Sequence, residues 1–585
     1  MARRTKMPSG RSPSDASQNT NGDVILEVGM PDLSTAAADF STSELVSEAA
    51  FDEAGYLRLN PDVREAIENG EVDSGYSHYI KYGRAEGRPF ANAALETQSV
   101  APSPASNQVS CAIDPLLVAS DAGLMVTGWI DDDGQPLSRI RISSASWRVE
   151  IEASRLVRLR RMDVEKALGS RAPHAFGFFG FVTLKRGDTS EAIKVELHQS
   201  SGKVTSLQAS TISVRPIDLR SSALSYLGGA HFFGNAPLES VRYLGEGVGD
   251  ELVQFNESLT RRLVSAPLVE RFGPQISSPR GTIIVCLYEK PEFYFLQNCL
   301  FSGLPGIEEY EFVYVSNSPE IAETLLREAH SASLIYGLTN SVMILGGNAG
   351  FGGANNAAAA IARSDRLLFI NPDVFPRDLD WARKHTDVLA SAAPEATRLF
   401  GVPLYYDDGS LMHGGMYFET DYGVLTTDGV PRAQKICRVE HYGKGAPAET
   451  PQFTRARPVP AVTGAFQSIA SNWFEELGGF SEQFIFGHYE DADLCLRSLE
   501  KGVAPWLQDV RMWHLEGKGS TRKLAHEGGS IVNRWLFSKK WMSTIDNGLR
   551  GPKPDHPLLQ PRSAIGPALT EEDWAQSRSP RGRSA

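Results

Sequence analysis

The stretch RLLFINPDVFP, residues 366–376, decides how the rest of this chain is read. An apolar, strand-like run from Arg366 to Ile370 leads straight into Asn371-Pro372-Asp373. Proline has no N–H for a sheet ladder, so the strand stops and Asp373 is held at its carboxyl edge. A carboxylate there is a candidate ligand for a divalent cation, and such a cation can bind a diphosphate. The string needs its context, because Asn-Pro-Asp-Val also occurs at 60–63, where no apolar strand leads in. There Asp62 reads as a helix N-cap.

Working outward, TIIVCLY (282–288), EFVYVSNS (311–318) and VMILG (342–346) are further strand-like runs. Helical patterns separate them, EIAETLLREAH (320–330) and ANNAAAAIARS (354–364). This alternation predicts an α/β unit over 278–545 with a largely parallel sheet and its chemistry at the strand C-terminal ends. Immediately before Asp373 lies NAGFGGANN, in which Gly350, Gly352 and Gly353 let backbone approach a ligand while Asn348 and Asn355 offer amides. It is neither a Walker loop nor a dinucleotide fingerprint, and a structural turn stays open beside a binding loop. Downstream, Glu490-Asp491 and Asp493 stand together at a predicted helix start. Such carboxylates can offset the helix dipole, the reading suited to Asp493, or supply a general base. His514, after a strand-like VRMW, is either structural or, with Asp373, half of a metal site.

The flanks differ in composition. Residues 1–47 and 546–585 are poor in aromatics and are expected to be disordered. Their basic tips (Arg3, Arg4, Lys6, Arg11; Arg578, Arg581, Arg583) read as solubilising tails, with contact to anionic lipid at the inner membrane face as the alternative. Residues 48–92 carry Tyr56, Val63, Ile67, Tyr76 and Tyr79 at near-helical spacing, a small helical module with stops at Gly83 and Gly87. After a linker (93–110), residues 111–215 alternate with period two and read as a β-sandwich-like domain. Within it, Asp131-Asp132-Asp133-Gly134 reads as a hairpin turn, and Arg155, Arg158, Arg160 and Arg161 as a solvated face. Residues 216–277 read as a helical connector.

Across its 585 residues the chain is 41% hydrophobic and carries a formal charge of −13, which argues against nucleic-acid binding. Its sequence shows no membrane-length apolar run and no secretory signal. Five scattered cysteines form no disulfide framework and favour a reducing, cytoplasmic compartment.

NAGFGGANN, FINPDV, VTGAF, LGGFSEQF, HYEDADLCLR and MWH, in that order over roughly 280–520, resemble a bacterial family 2 glycosyltransferase with a GT-A fold, of the rhamnosyltransferase-like kind. The resemblance implies a Rossmann-like mixed sheet and inverting, metal-dependent transfer of a hexosyl or rhamnosyl group. The donor would be a UDP- or dTDP-sugar and the acceptor a surface glycan or lipid-linked glycan. On the matching residues it implies Asp491 as catalytic base with Glu490 beside it, and Asp373 with His514 as ligands of Mg²⁺ or Mn²⁺. It places Thr463, Gly464 and Ala465 near the donor sugar and acceptor, and Tyr288, Ser316, Asn317, Asn348, Gly350, Asn355 and Asn371 around the nucleotide. Two departures concern nucleoside recognition: Cys286-Leu287-Tyr288-Glu289 ends the first strand, and Ser316 stands where the family has an aspartate. A glycoside hydrolase and a non-catalytic carbohydrate-binding scaffold are the competing readings.

Overall fold

The computed structural model describes residues 110–560, apart from 133, 170–174, 185–192, 231–235, 428–429 and 520–522, together with scattered residues between 53 and 79. The chain divides into two units, 1–100 and 101–585.

In the first unit Tyr56, Val63 and Tyr79 pack into a small apolar cluster with Leu57, Ile67 and Tyr76. The Tyr56 hydroxyl meets His78 Nδ1 at 2.9 Å, and Glu53 accepts the Tyr76 N–H at 2.8 Å. The expected cap at Asp62, the stops at Gly83 and Gly87, residues 1–47, the 93–109 linker and the tips of both tails lie outside the described residues.

The second unit opens with two sheets packed face to face. One runs in the order Thr211–Ser213, Leu116–Ala119, Gly123–Ile130, Gly177–Thr183, Val157–Leu159, with Cys111–Ile113 also on Gly123–Ile130. The other runs Arg148–Glu152, Leu137–Ser143, Ile193–Gln199, Val204–Ala209. Val126, Ile130 and Phe178 from the first meet Ile140, Ile142, Val195 and Leu197 from the second in one core. The first sheet is covered on its other face too. Helices α1 (Pro216–Gly228) and α2 (Gly249–Leu263) bring Tyr226 against Phe179 and Phe255 against Phe181. Burial on both faces accounts for GFFGFVT being apolar without alternation.

Two expectations for this region are corrected. The arginine cluster is paired rather than merely solvated: Arg158 grips Asp132 with both terminal nitrogens, Arg160 pairs with Glu165, Arg161 with Asp163 and Arg155 with Glu251. The connector is not helical throughout, because its last strand joins the next sheet at the edge.

That sheet has nine strands: β1 (Leu268–Phe272), β2 (Gly281–Leu287), β3 (Tyr310–Ser316), β4 (Asn340–Ile344), β5 (Arg366–Ile370), β6 (Leu399–Gly401), β7 (Arg457–Pro458), β8 (Phe466–Ala470) and β9 (Trp506–Leu507). Their order is β1-β4-β3-β2-β5-β8-β6-β9-β7. Strands β4, β3, β2 and β5 are parallel neighbours, while β8 runs antiparallel to β5. Crossovers through α3 (Glu292–Phe301), α4 (Ala322–Tyr336) and α5 (Gly350–Ala359) link β2 through β5. The chain moves outward from β2 to β4, then returns to place β5 on β2's free side, so the strand order reverses between β2 and β5. In open α/β sheets a ligand crevice forms at such a switch point, outside the strand C-terminal ends.

Three features were not expected. A hairpin of two 12-residue strands, Met416–Thr427 and Val430–His441, projects between β6 and β7. After the expected α6 (Glu490–Glu500) comes α7 (Leu524–Thr544), which crosses α1 with no room for side chains. A Cβ on Gly528 would lie 1.9 Å from the Leu224 carbonyl oxygen, and one on Gly228 2.1 Å from that of Leu524. Finally, residues 546–560 are packed, where a disordered tail was expected. Leu549 is buried, the Gly551 N–H donates to the Phe418 carbonyl, and the Tyr442 hydroxyl to that of Pro552. No helix among the described residues is long and apolar enough to cross a membrane.

Candidate functional site

The C-terminal end of β5 is built as its sequence implies. Asn371 to Asp373 form a tight turn, with the Val374 N–H donating to the Asn371 carbonyl at 3.1 Å. Gln297, fully buried on α3, pins this turn by donating to the same carbonyl at 3.0 Å. Val374–Pro376 then pairs antiparallel with Met512–His514, which sets Val374 opposite His514. Strand register thus brings together two residues 141 positions apart: His514 Nε2 lies 3.4 Å from Asp373 Oδ1. The second carboxylate oxygen accepts the Gly519 N–H at 3.0 Å. Both side chains are largely buried.

His385 shows what a purely structural histidine looks like in this chain. Its two ring nitrogens meet the Tyr310 hydroxyl and Ser468 Oγ, each at 2.9 Å, and burial pushes its pKa down to about 3. His514, by contrast, has a buried Nδ1 with no partner among the described residues.

The donor set can be tested against a divalent cation. Two ligands on adjacent corners of an octahedral Mg²⁺ stand about 3 Å apart, from metal–oxygen distances of about 2.1 Å. The 3.4 Å between Asp373 and His514 is close to that edge. Among the described residues no group of three or more His, Cys, Asp or Glu gathers to hold a metal. Two protein ligands fit a cation that takes its remaining positions from water and substrate phosphate, the usual arrangement for Mg²⁺.

The second acidic cluster stands on a different kind of backbone. Phe486 (φ 61°), His488 (φ 80°) and Tyr489 (φ 77°) all adopt the left-handed conformation just before Glu490. With Glu289 (φ 57°), they are four of the five such non-glycine residues described. Each costs on the order of 1–3 kcal/mol, and such strain tends to cluster at working sites. Tyr489 ends the loop and α6 starts abruptly at Glu490, so Glu490, Asp491 and Asp493 all fall in its first turn.

The three acids then diverge. Asp493 is fully buried between Arg497 Nε (2.9 Å), Lys540 Nζ (2.5 Å) and Trp541 Nε1 (2.9 Å), which clamps α6 to α7. Its role is structural, through a buried ion cluster more than through the helix dipole. Asp491 accepts the Gly464 N–H at 2.8 Å and the Ala492 N–H at 2.7 Å. Burial raises its pKa, opposed by these two donors. Glu490 is buried, with Oε2 unpartnered among the described residues. Burial, then the neighbouring Asp491, hold its pKa well above the usual carboxylate value.

Thr463, Gly464 and Ala465 join the two clusters. Gly464 binds Asp491 through its N–H, while the Ala465 carbonyl accepts the Asn371 N–H at 3.0 Å. The structure therefore brings Asn371, Asp373, His514, Thr463, Gly464, Ala465, Glu490 and Asp491 together.

The residues expected around the nucleotide divide. Tyr288 and Asn348 stay partly exposed at the carboxyl side of β2 and β4. Ser316, Asn317 and Asn355 are buried and bond within the fold. The Ser316 hydroxyl donates to the Ser318 carbonyl, and Asn355 donates to the Phe351 carbonyl one helical turn back. Asn317 holds the start of α5, accepting the Ala349 N–H and donating to the Gly350 carbonyl. Gly350 belongs to that turn: φ is 74°, and a Cβ would lie 3.1–3.2 Å from the Phe486 backbone.

Sequence reasoning missed several residues of the surroundings. Gln297 carried a signal, standing with Asn298 as a polar pair inside the largely apolar EFYFLQNCLF helix. Lys523 ion-pairs with Glu289 at 2.6 Å across 234 positions, and nothing local marks it.

No protein-family profile matches the chain. A curated relative, the uncharacterized protein y4gI of Sinorhizobium fredii (strain NBRC 101917 / NGR234), is 27% identical over 229 residues, 37% of this chain and 23% of that protein. The chain thus spans about a quarter of that relative's length. Among solved structures, the mannosyltransferase PcManGT from Pyrobaculum calidifontis, in complex with GDP-Man and Mn²⁺, is 13% identical with a TM-score of 0.28. It covers 53% of this chain and 87% of its own. GalNAc-T7 with UDP, GalNAc and Mn²⁺ is 14% identical with a TM-score of 0.29, covering 45% and 50%. Both are glycosyltransferases with a nucleotide or nucleotide sugar and Mn²⁺, and at this overlap neither carries an assignment for this chain.

Proposed function

We propose that the α/β unit is an inverting, metal-dependent glycosyltransferase of the family 2, GT-A kind. It would move a hexosyl or rhamnosyl group from a UDP- or dTDP-sugar to a hydroxyl of a surface polysaccharide or glycolipid. The observation that carries this reading is the bridge at 463–465. One three-residue segment is bonded on one side to Asp491 and on the other to the turn that holds Asp373. A base and a candidate cation site are thereby fixed beside the switch-point crevice, where the two substrates of a transfer would meet.

In this reading the acceptor hydroxyl attacks the anomeric carbon on the face opposite the diphosphate. The new C–O bond forms as the bond to the diphosphate oxygen breaks, and the hydroxyl proton passes to Asp491. Burial raises the pKa of Asp491, which makes its carboxylate a stronger base for that proton. Burial and the neighbouring Asp491 favour the neutral form of Glu490, the form that can donate a hydrogen bond to a sugar oxygen without adding a second negative charge. Asp373 and His514 would hold the cation, which when bound neutralises charge on the departing diphosphate. A hydrolase reading lacks this support, since it needs two carboxylates and no cation corner.

The test is to screen nucleotide sugars for diphosphate release that requires both a divalent cation and a glycan acceptor. Release by wild type and not by Asp491→Asn supports the assignment. Sugar release from a glycan without any nucleotide donor would replace it with a hydrolase.

A further inference from the structure

Asp491 follows a loop that is braced from several sides. Within it the Gly487 N–H donates to the Ile485 carbonyl, and from α5 the Phe351 N–H donates to the Phe486 carbonyl, while two helices outside the β2–β5 crossovers, α1 and α7, hold left-handed Phe486, His488 and Tyr489 further. From α7, fully buried Asn533 uses its whole amide on this loop. Its Oδ1 accepts the Ile485 N–H at 2.7 Å, and its Nδ2 contacts the carbonyls of Ile485 (2.9 Å), Gly487 (2.7 Å) and His488 (3.3 Å). From α1, Arg220 is 1% exposed and lies over the Phe486 ring at 4.7 Å. Its two hydrogen bonds both end on neutral oxygens, Asn256 Oδ1 (2.8 Å) and the Asn348 carbonyl (2.5 Å).

A buried guanidinium bonded to neutral oxygens is costly, and burial pulls its pKa down to about 10. It does fix the loop and the Asn348 turn against one another. The two residues flank one helix crossing: Arg220 lies four positions before Leu224 and Asn533 five after Gly528, where α1 and α7 meet at backbone contact. The crossing leaves no space for a side chain, so the two helices present Arg220 and Asn533 to the loop from a fixed frame.

We infer that Arg220 and Asn533 are positioning residues for Asp491, holding the left-handed segment 486–489 in the conformation that aims the carboxylate into the crevice. This rests on the transferase reading for its catalytic half. Its structural half stands without it.

The experiment uses the full chain and two variants, Asn533→Ala and Arg220→Met. The second spares folding, because it leaves no carboxylate unpaired and keeps an apolar stem on Phe486. Amide exchange of peptides covering 484–491 is compared with that of β5, and transfer kinetics are measured against pH. Exchange at 484–491 should quicken about tenfold or more while β5 stays protected. The kcat should fall by about tenfold to 10²-fold in both variants, with donor KM unchanged in Asn533→Ala. The acid limb of the kcat profile should move to lower pH as Asp491 gains water. A mere loss of folded protein would scale kcat without moving the limb. Unchanged exchange at 484–491 in either folded variant overturns the inference, as does faster exchange with unaltered kcat. A wild type that transfers no sugar from any donor sinks the transferase reading and with it the catalytic half, while the exchange comparison still decides what holds the loop.

Discussion

Asp373 and Asp491 stand on either side of one bridging segment, yet the fold places them by different means. Asp373 ends a parallel strand, and its partner His514 arrives by ordinary antiparallel pairing of Val374–Pro376 with Met512–His514. Asp491 follows three left-handed residues and depends on helices joined far away in the sequence. A group set by sheet register can be inferred from where strands stop. A group set by a strained loop needs its supports to be known. The proposed cation side is accordingly fixed through the sheet, and the proposed base side through a loop braced by α1, α5 and α7.

The comparison can be tested from its strongest consequence downward. Chelation by EDTA should stop turnover completely, with recovery on adding Mn²⁺ or Mg²⁺, and Asp373→Ala should show the same loss without recovery. Full activity in chelator would remove the cation role of Asp373 and His514. Next, Asp491→Asn should lower kcat by about 10²–10⁴-fold while calorimetry finds donor binding intact. A parallel loss of donor affinity would mean that the two sides are not separable.

The bridge itself is probed by Gly464→Ala. The new Cβ would lie 3.1 Å from the Phe351 ring, so the ring and the bridge must move apart slightly beside Asp491, whose Cβ is 3.4 Å away. A loss in kcat of about 10-fold to 10²-fold is expected with the metal requirement unchanged. Wild-type kinetics in that variant would show that the base tolerates displacement.

The smallest effect is on stability. Glu490 has a folded pKa above its unfolded value of about 4.3, so the folded state binds its proton more tightly. Its contribution is present below that unfolded value and is lost as pH rises through the folded pKa. Glu490→Gln removes the titration, and its Tm should exceed wild type by a margin that grows with pH over this window, about 2–4 °C per kcal/mol relieved. A margin independent of pH would assign the gain to packing instead.

Legibility followed the same division. Strands β2, β3, β4 and β5 were readable because each is a short apolar run with a helical pattern after it. Edge strand β1, the hairpin at 416–441 and the packed segment 546–560 were not. The exposed Tyr422 and Val424 and the polar positions of the hairpin give no burial signal until Leu238 and Ile436 cover Leu425. At the site, the reading singled out Asp373, Asp491 and His514. It did not foresee that Ser316, Asn317 and Asn355 bond within the fold, because their partners, backbone carbonyls and N–H groups in turns, have no sequence signature.

By itself, the sequence determined the alternating strands and helices, the strand stop that sets Asp373 at the sheet's carboxyl edge and the acidic start of α6. Each follows from local physics: apolar periodicity, the missing N–H of proline and the charge preference of a helix N-terminus. Only the tertiary structure decided that His514 faces Asp373, that Gly464 and Ala465 tie both acids together, and that Arg220 and Asn533 hold the loop beneath Asp491. Those contacts join residues from 27 to 266 positions apart. They exist because strand order and a side-chain-free helix crossing bring backbone to backbone, and a linear sequence carries no local mark of either.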